Sequence, residues 1–117
     1  MGIETLLDLN GERIEVGDGY WVKFDAKQVE ATTMVPHGVS YSLTLHRPDN
    51  TRILGFDNAH AVKPKGNPYK YAGQIFPYDH KHPYLKSAIP YQFDSAEKLF
   101  TDFWVAVDDA LLQEGVV

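Results

Sequence analysis

Residues 38–60 read GVSYSLTLHRPDNTRILGFDNAH, and the first third of this stretch alternates cleanly. Val39, Tyr41, Leu43 and Leu45 fall on one side, with Ser40, Ser42, Thr44 and His46 on the other. This period of two is what an extended strand needs when one face is buried and the other wet. Pro48-Asp49-Asn50 supplies turn chemistry, and the chain returns through Ile53, Leu54 and Phe56, so the stretch reads as an antiparallel hairpin. A sheet with one apolar face has to bury that face against a second layer.

The second layer comes at the end of the chain. YQFDSAEKLFTDFWVAVDDALLQEG, residues 91–115, reads as a helix from about Ser95 to Gln113, with Asp94 as N-cap, Glu97 completing a capping box and Gly115 as the stop. Leu99, Phe100, Phe103, Trp104, Val107, Ala110 and Leu111 form one broad apolar face, and the aromatics among them belong to the core. Working back from the hairpin, YWVKFDAKQVEATTMV (residues 20–35) reads as a long or bent strand from its β-branched and aromatic content. TLLDLNGERIEV (residues 5–16) reads as another hairpin around Asn10-Gly11, a dipeptide that tolerates the positive φ angles of a tight turn. The expected fold is therefore α+β: one small domain over residues 1–117, with an antiparallel sheet of about five strands covered by a C-terminal helix.

Composition narrows the function class. With no cysteine, disulfide frameworks and thiolate chemistry are excluded, and a reducing cytoplasm is the expected compartment. No apolar run approaches the roughly 20 residues of a membrane span, and the first residues lack the basic and apolar regions of a secretory signal. The formal net charge of −5 hides a division: residues 1–35 carry −4 and 87–117 carry −5, whereas 56–86 carry +3. The basic segment is suited to an anion, and the acidic flanks suit a basic partner or simple solubility.

That segment also holds the chemistry. FDNAHAVKPKGNPYKYAGQIFPYDHKHPY, residues 56–84, gathers three of the five histidines, and Pro64, Pro68, Pro77 and Pro83 deny it a long regular element. Short strands around Tyr71–Phe76 or His80–Tyr84 are compatible with it. His80 and His82 are two residues apart, so on extended backbone they project to the same side. Asp57, Asn58 and His60 arrive from the end of the hairpin and can meet them across one cleft.

Three readings compete. His60, His80, His82 and Asp57 form a nitrogen and oxygen set that a transition metal accepts. One histidine can instead act as general base and another as general acid. Histidines spaced this way are also common on plain surface loops, and Asp57-Asn58 can simply cap a turn. The acid/base reading, with no metal and no cofactor, is preferred because the segment has neither cysteine nor glutamate, leaving Asp57 and Asp79 as its carboxylates. The lysines and tyrosines of residues 63–86 either form a solvated loop or track a phosphate backbone and stack on bases, and in the second case Lys63, Lys65, Lys81 and Tyr84 are the candidate RNA contacts. His37, in a Pro-His-Gly turn, and His46, on the wet hairpin face, stay outside the site.

The order LGFDNAH, DHKHPY and PYQFDSAEKLFTDFWVAV resembles the TumE-type toxins of bacterial and archaeal type II toxin–antitoxin systems over about residues 12–112. The resemblance rests on Asp57 and Asn58 after a strand, on the Asp79–His82 block, and on Tyr91 and Phe93 leading into a helix with Leu99, Asp102 and Phe103. It implies a small cytoplasmic toxin paired with a helix-turn-helix antitoxin. The expected activity is metal-independent RNA cleavage: His80 or His82 takes the 2′-hydroxyl proton, another histidine protonates the leaving oxygen, Lys81 offsets phosphate charge, and Asn58 orients a phosphate oxygen or a histidine. The alternative is a non-catalytic module that binds the antitoxin or another cellular protein. Self-association into a homo-oligomer is compatible with either.

Overall fold

The computed structural model describes residues 2–58 and 79–116. The hairpin read from residues 38–60 is present as β3 (Val39–His46) and β4 (Arg52–Asp57), antiparallel, with Leu43 opposite Phe56 and Leu45 opposite Leu54. Asn50 takes a φ of 73° at the turn, and its N–H donates to the Arg47 carbonyl at 2.8 Å. β2 (Tyr20–Gln28) pairs with β3 from Trp21–His46 through Gln28–Val39, so the expected long strand ends seven residues short of Val35. β1 (Arg13–Gly17), β5 (His80–His82) and the two-residue β6 (Ile89–Pro90) complete an antiparallel sheet in sequential order.

The N-terminal hairpin is replaced by something else. Ile3–Asp8 form a short helix, α1, and Leu6 is fully buried in the core. Ile3, Leu6 and Leu7 sit at i, i+3 and i+4, a helical spacing that outweighs the partial alternation read there. Asn10-Gly11 does make a turn, with Gly11 at φ 82°, but it links α1 to β1. The hairpin turn between β1 and β2 is Asp18-Gly19, both at positive φ (50° and 83°), the conformation that keeps a two-residue turn in step with strand twist. Asn10 is used differently: its side-chain oxygen accepts from the Ala26 N–H at 2.9 Å and ties the turn to β2.

The C-terminal helix α2 (Ala96–Gln113) covers one sheet face as expected. Its N-cap is Ser95 and not Asp94: the Ser95 hydroxyl accepts from the Lys98 N–H at 3.0 Å, satisfying a donor that the first turn leaves unpaired. Val22 and Phe24 from β2, Leu43 and Leu45 from β3, Phe56 from β4 and Leu99, Phe103 and Val107 from α2 are buried together. Phe103 meets Phe24 and Phe56 edge-on, with centroids 5.8 and 6.0 Å apart. At the far end of α2, Glu114 accepts from Tyr20 (2.8 Å), from both Nε and Nη2 of Arg47 (2.7 and 2.9 Å) and from Tyr84. One carboxylate thus joins the helix end to β2, to the β3–β4 turn and to the segment after β5.

Candidate functional site

The alternation of β4 and β5 decides which side chains can meet. Phe56 and Lys81 are register partners, as are Asp57 and His80, and Gly55 and His82. Because Phe56 points at α2, Asp57, His80 and His82 point to the face of the sheet away from α2, and Lys81 and Asp79 point to the helix side.

On that face the cluster is compact. Asp57 Oδ1 lies 2.8 Å from His80 Nε2, and Asp57 Oδ2 lies 3.7 Å from His82 Nε2. The first is a close carboxylate–imidazole contact at ion-pair distance. The imidazoles stand edge to face with centroids 5.1 Å apart. His80 is wholly buried, whereas the His82 side chain is 21% exposed, so His82 is the imidazole with access to a substrate. Arg52 Nη2 sits 3.5 Å from His82 Nδ1 and brings a fixed positive charge to the rim. Ligand atoms of Asp57, His80 and His82 lie within 4.8 Å of one another, a spacing that a transition ion with two imidazoles and a carboxylate can bridge.

Asn58 is committed to the backbone of β3. Its side-chain oxygen accepts from the Tyr41 N–H at 2.9 Å, and its side-chain nitrogen donates to the Val39 carbonyl at 2.6 Å. Both contacts carry on the β3–β4 pairing one residue past the strand and fix the end of β4 where Asp57 stands. His60, Lys63 and Lys65 lie outside the described residues, as does the stretch Tyr71–Phe76.

Lys81 and Tyr84 are not brought to the histidines. Both line a cleft of about 800 Å³ between α2 and the β5–β6 segment, with Leu54, Phe56, Tyr91 and Asp102. There Tyr91 donates to Asp102 at 2.7 Å, and burial first, then that bond, pushes the Tyr91 hydroxyl above its ordinary range. Tyr84 is held by Glu114.

Sequence reasoning left out His37, and the structure gives it a partner 42 residues away. Val39 N–H donates to His37 Nδ1 at 3.3 Å, which leaves the proton on Nε2 to be donated to Asp79 Oδ1 at 2.8 Å. Tyr41 donates to the same oxygen at 2.7 Å; burial and the Asp79 charge raise its pKa, so the hydroxyl stays protonated. The Asp79–His82 block therefore serves two faces at once. Asp79 pins the loop before β3 to the start of β5, and His80 and His82 build the open-face cluster. Strand alternation carries the signal for that division, but nothing local to His37 announces its contact with Asp79.

Among the described residues no helix is long and apolar enough to cross a membrane. The family model described as Toxin TumE matches residues 11–111, covering every element of the sheet and most of α2. No curated protein and no solved structure matches the chain. That match spans the scaffold and the whole Asp57–His80–His82 cluster, and the chain belongs to the TumE toxin family.

Proposed function

We propose that this chain is the toxin of a toxin–antitoxin pair and that it acts on RNA, with Asp57, His80 and His82 as its working site. The observation that carries this reading is the single carboxylate touching two imidazoles, one of them open to solvent. His82 takes the proton from a ribose 2′-hydroxyl. The 2′-oxygen then attacks phosphorus, the bond to the 5′-oxygen breaks, and a second histidine, His60, gives that oxygen its proton, because His80 is wholly buried. The products are a 2′,3′-cyclic phosphate and a 5′-hydroxyl. Asp57 orients the His82 ring and stabilises the imidazolium that forms, while Arg52 faces the charge developing on the phosphate. A helix-turn-helix antitoxin is the expected protein partner.

Two other readings give different outcomes. The 4.8 Å convergence of Asp57, His80 and His82 favours a bound transition ion as the second, in which case chelator removes activity and added metal restores it. A non-catalytic binding module predicts toxicity without RNA breakdown. The deciding experiment incubates purified protein with total RNA, with and without chelator, beside His82→Ala. Cleavage that survives chelator and is lost in His82→Ala supports the acid/base reading. Intact RNA with a toxic parent protein rejects it.

A further inference from the structure

The open sheet face carries a second organised group of side chains beside the Asp57 cluster. Register places Glu15, Trp21, His46 and Arg52 in one lateral row, and Arg13, Lys23, Thr44, Gly55 and His82 in the next. Trp21 stacks on His46 with centroids 3.9 Å apart and planes 7° from parallel. The guanidinium carbon of Arg13 sits 3.7 Å over the indole. Arg52 follows His46 in its row and reaches His82. Three inter-strand steps, about 14 Å across the sheet, and one row along the strands separate Trp21 from His82 on the same face.

The chemistry of this face differs from the rest of the molecule. Arg13, Lys23, Lys27 and Arg52 stand here against Glu15, Asp25 and Asp57, whereas α2 carries Glu97, Asp102, Asp108 and Asp109 with only Lys98 to offset them. Ser40, Ser42 and Thr44 fill the middle of β3 on this side, where a protein-binding face would need an apolar centre. Burial lowers the pKa of His46, and the cations Arg52, Arg13 and Lys23 push it the same way against the Asn50 carbonyl, which raises it. Its Nδ1 faces the Asn50 carbonyl at 3.4 Å and its Nε2 faces the Thr44 hydroxyl at 2.8 Å, which hold the ring upright.

We infer that this face binds single-stranded RNA, with Arg13, Trp21 and His46 as a base-stacking subsite and Arg52 as the phosphate contact that leads the strand to His82. The inference rests on the proposed RNA-directed function and adds the substrate path. A nucleobase packs on the guanidinium plane or replaces it against the indole, as flat cations and aromatic rings on sheets accept bases of any sequence. The arrangement predicts little sequence preference at this subsite and a strong requirement for an unpaired strand.

The test uses a 5′-fluorescein single-stranded oligoribonucleotide of mixed sequence with 2′-O-methyl riboses, which cannot undergo 2′-hydroxyl attack, so anisotropy reads binding apart from cleavage. Arg13→Ala, Arg52→Ala and Trp21→Leu should each weaken binding about fivefold or more, the lower end of what one stacked base or charged contact contributes. Lys98→Ala, on the helix layer, should stay within about twofold of the parent. Arg13 and Arg52 are exposed, so their variants keep the folded core even where Trp21→Leu does not. A parent that binds while Arg13→Ala and Arg52→Ala bind equally well overturns the platform but leaves RNA cleavage by His82 intact. A parent that binds no oligonucleotide overturns the platform. Cleavage of unmodified RNA, measured separately, judges the activity itself.

Discussion

His80 and His82 lie on the same side of one strand, yet burial gives them different work. His82 is partly open to solvent and His80 is wholly buried beside Asp57. His82→Ala should cut RNA cleavage about 100-fold or more, the usual contribution of a general base, and cost less stability than His80→Ala because its side chain is partly exposed. His80→Ala should behave as a core variant: removing a buried group in contact with a carboxylate costs about 1–3 kcal/mol, read from urea unfolding. Equal stability losses in the two variants would contradict the assigned burial. Asp79→Ala offers a contrast on the opposite face. It strips Tyr41 and His37 of the acceptor they share, so it should destabilise by about 1–3 kcal/mol or more. Any loss of cleavage in that variant should recover where the protein is fully folded.

At the scale of elements, α2 is held from both ends of its packed face, and Glu114 is its polar anchor. Hydrogen bonds from Arg47, then from Tyr84 and Tyr20, hold the Glu114 carboxyl down to about 2, against an ordinary value of 4.5. A carboxyl depressed in the folded state contributes stability above its unfolded value, and that contribution declines as pH falls from about 4.5 toward about 2. Glu114→Gln should therefore unfold at lower urea than the parent at neutral pH, and the gap between the two should close on acidification. A gap independent of pH would remove the anchor from the stability of the fold. Truncation after Asp94 should go further and leave an insoluble or molten chain, because the apolar face of the sheet loses its cover. The same elements show what a sequence can reveal. The β3–β4 hairpin and α2 were legible because eight alternating residues and a wide helical stripe each repeat one signal many times. α1 was missed because six residues carry too few repeats to separate a period of 3.6 from one of two. Asn10-Gly11 and Asp18-Gly19 offer the same turn chemistry, and only pairing partners far along the chain tell which one closes the hairpin. In the site, the shared side of Asp57, His80 and His82 followed from strand alternation once β4 and β5 were paired. The separation of Lys81 and Tyr84 from them needed the position of α2, which no local pattern supplies.

The whole molecule is a two-sided object. One layer is an acidic helix over an apolar core, and the other is a polar sheet face with cations, a ring stack and the carboxylate–histidine cluster. A chain with a net charge of −5 should repel a polyanion at long range, so RNA can be held only where local charge overrides the average. That makes ionic strength a test of the division itself. Each phosphate neutralised on a single strand contributes about −0.7 to the slope of log affinity against log salt. Phosphate contacts from Lys23 and Arg52 predict a slope of about −1.4 for the parent, summing about −0.7 for each. Arg52→Ala should make the slope shallower by about 0.7, while Trp21→Leu should lower affinity at every salt concentration without changing the slope, since stacking displaces no counterion. Lysines of the basic 56–86 segment add to the slope if they also touch the strand, and Lys63→Ala with Lys65→Ala measures their share. The measurement is anisotropy with the methylated oligonucleotide across a salt series. A slope unaffected by Arg52→Ala, or a stacking variant that flattens it, would show that charge and aromatic contacts on the sheet are not divided as the structure places them.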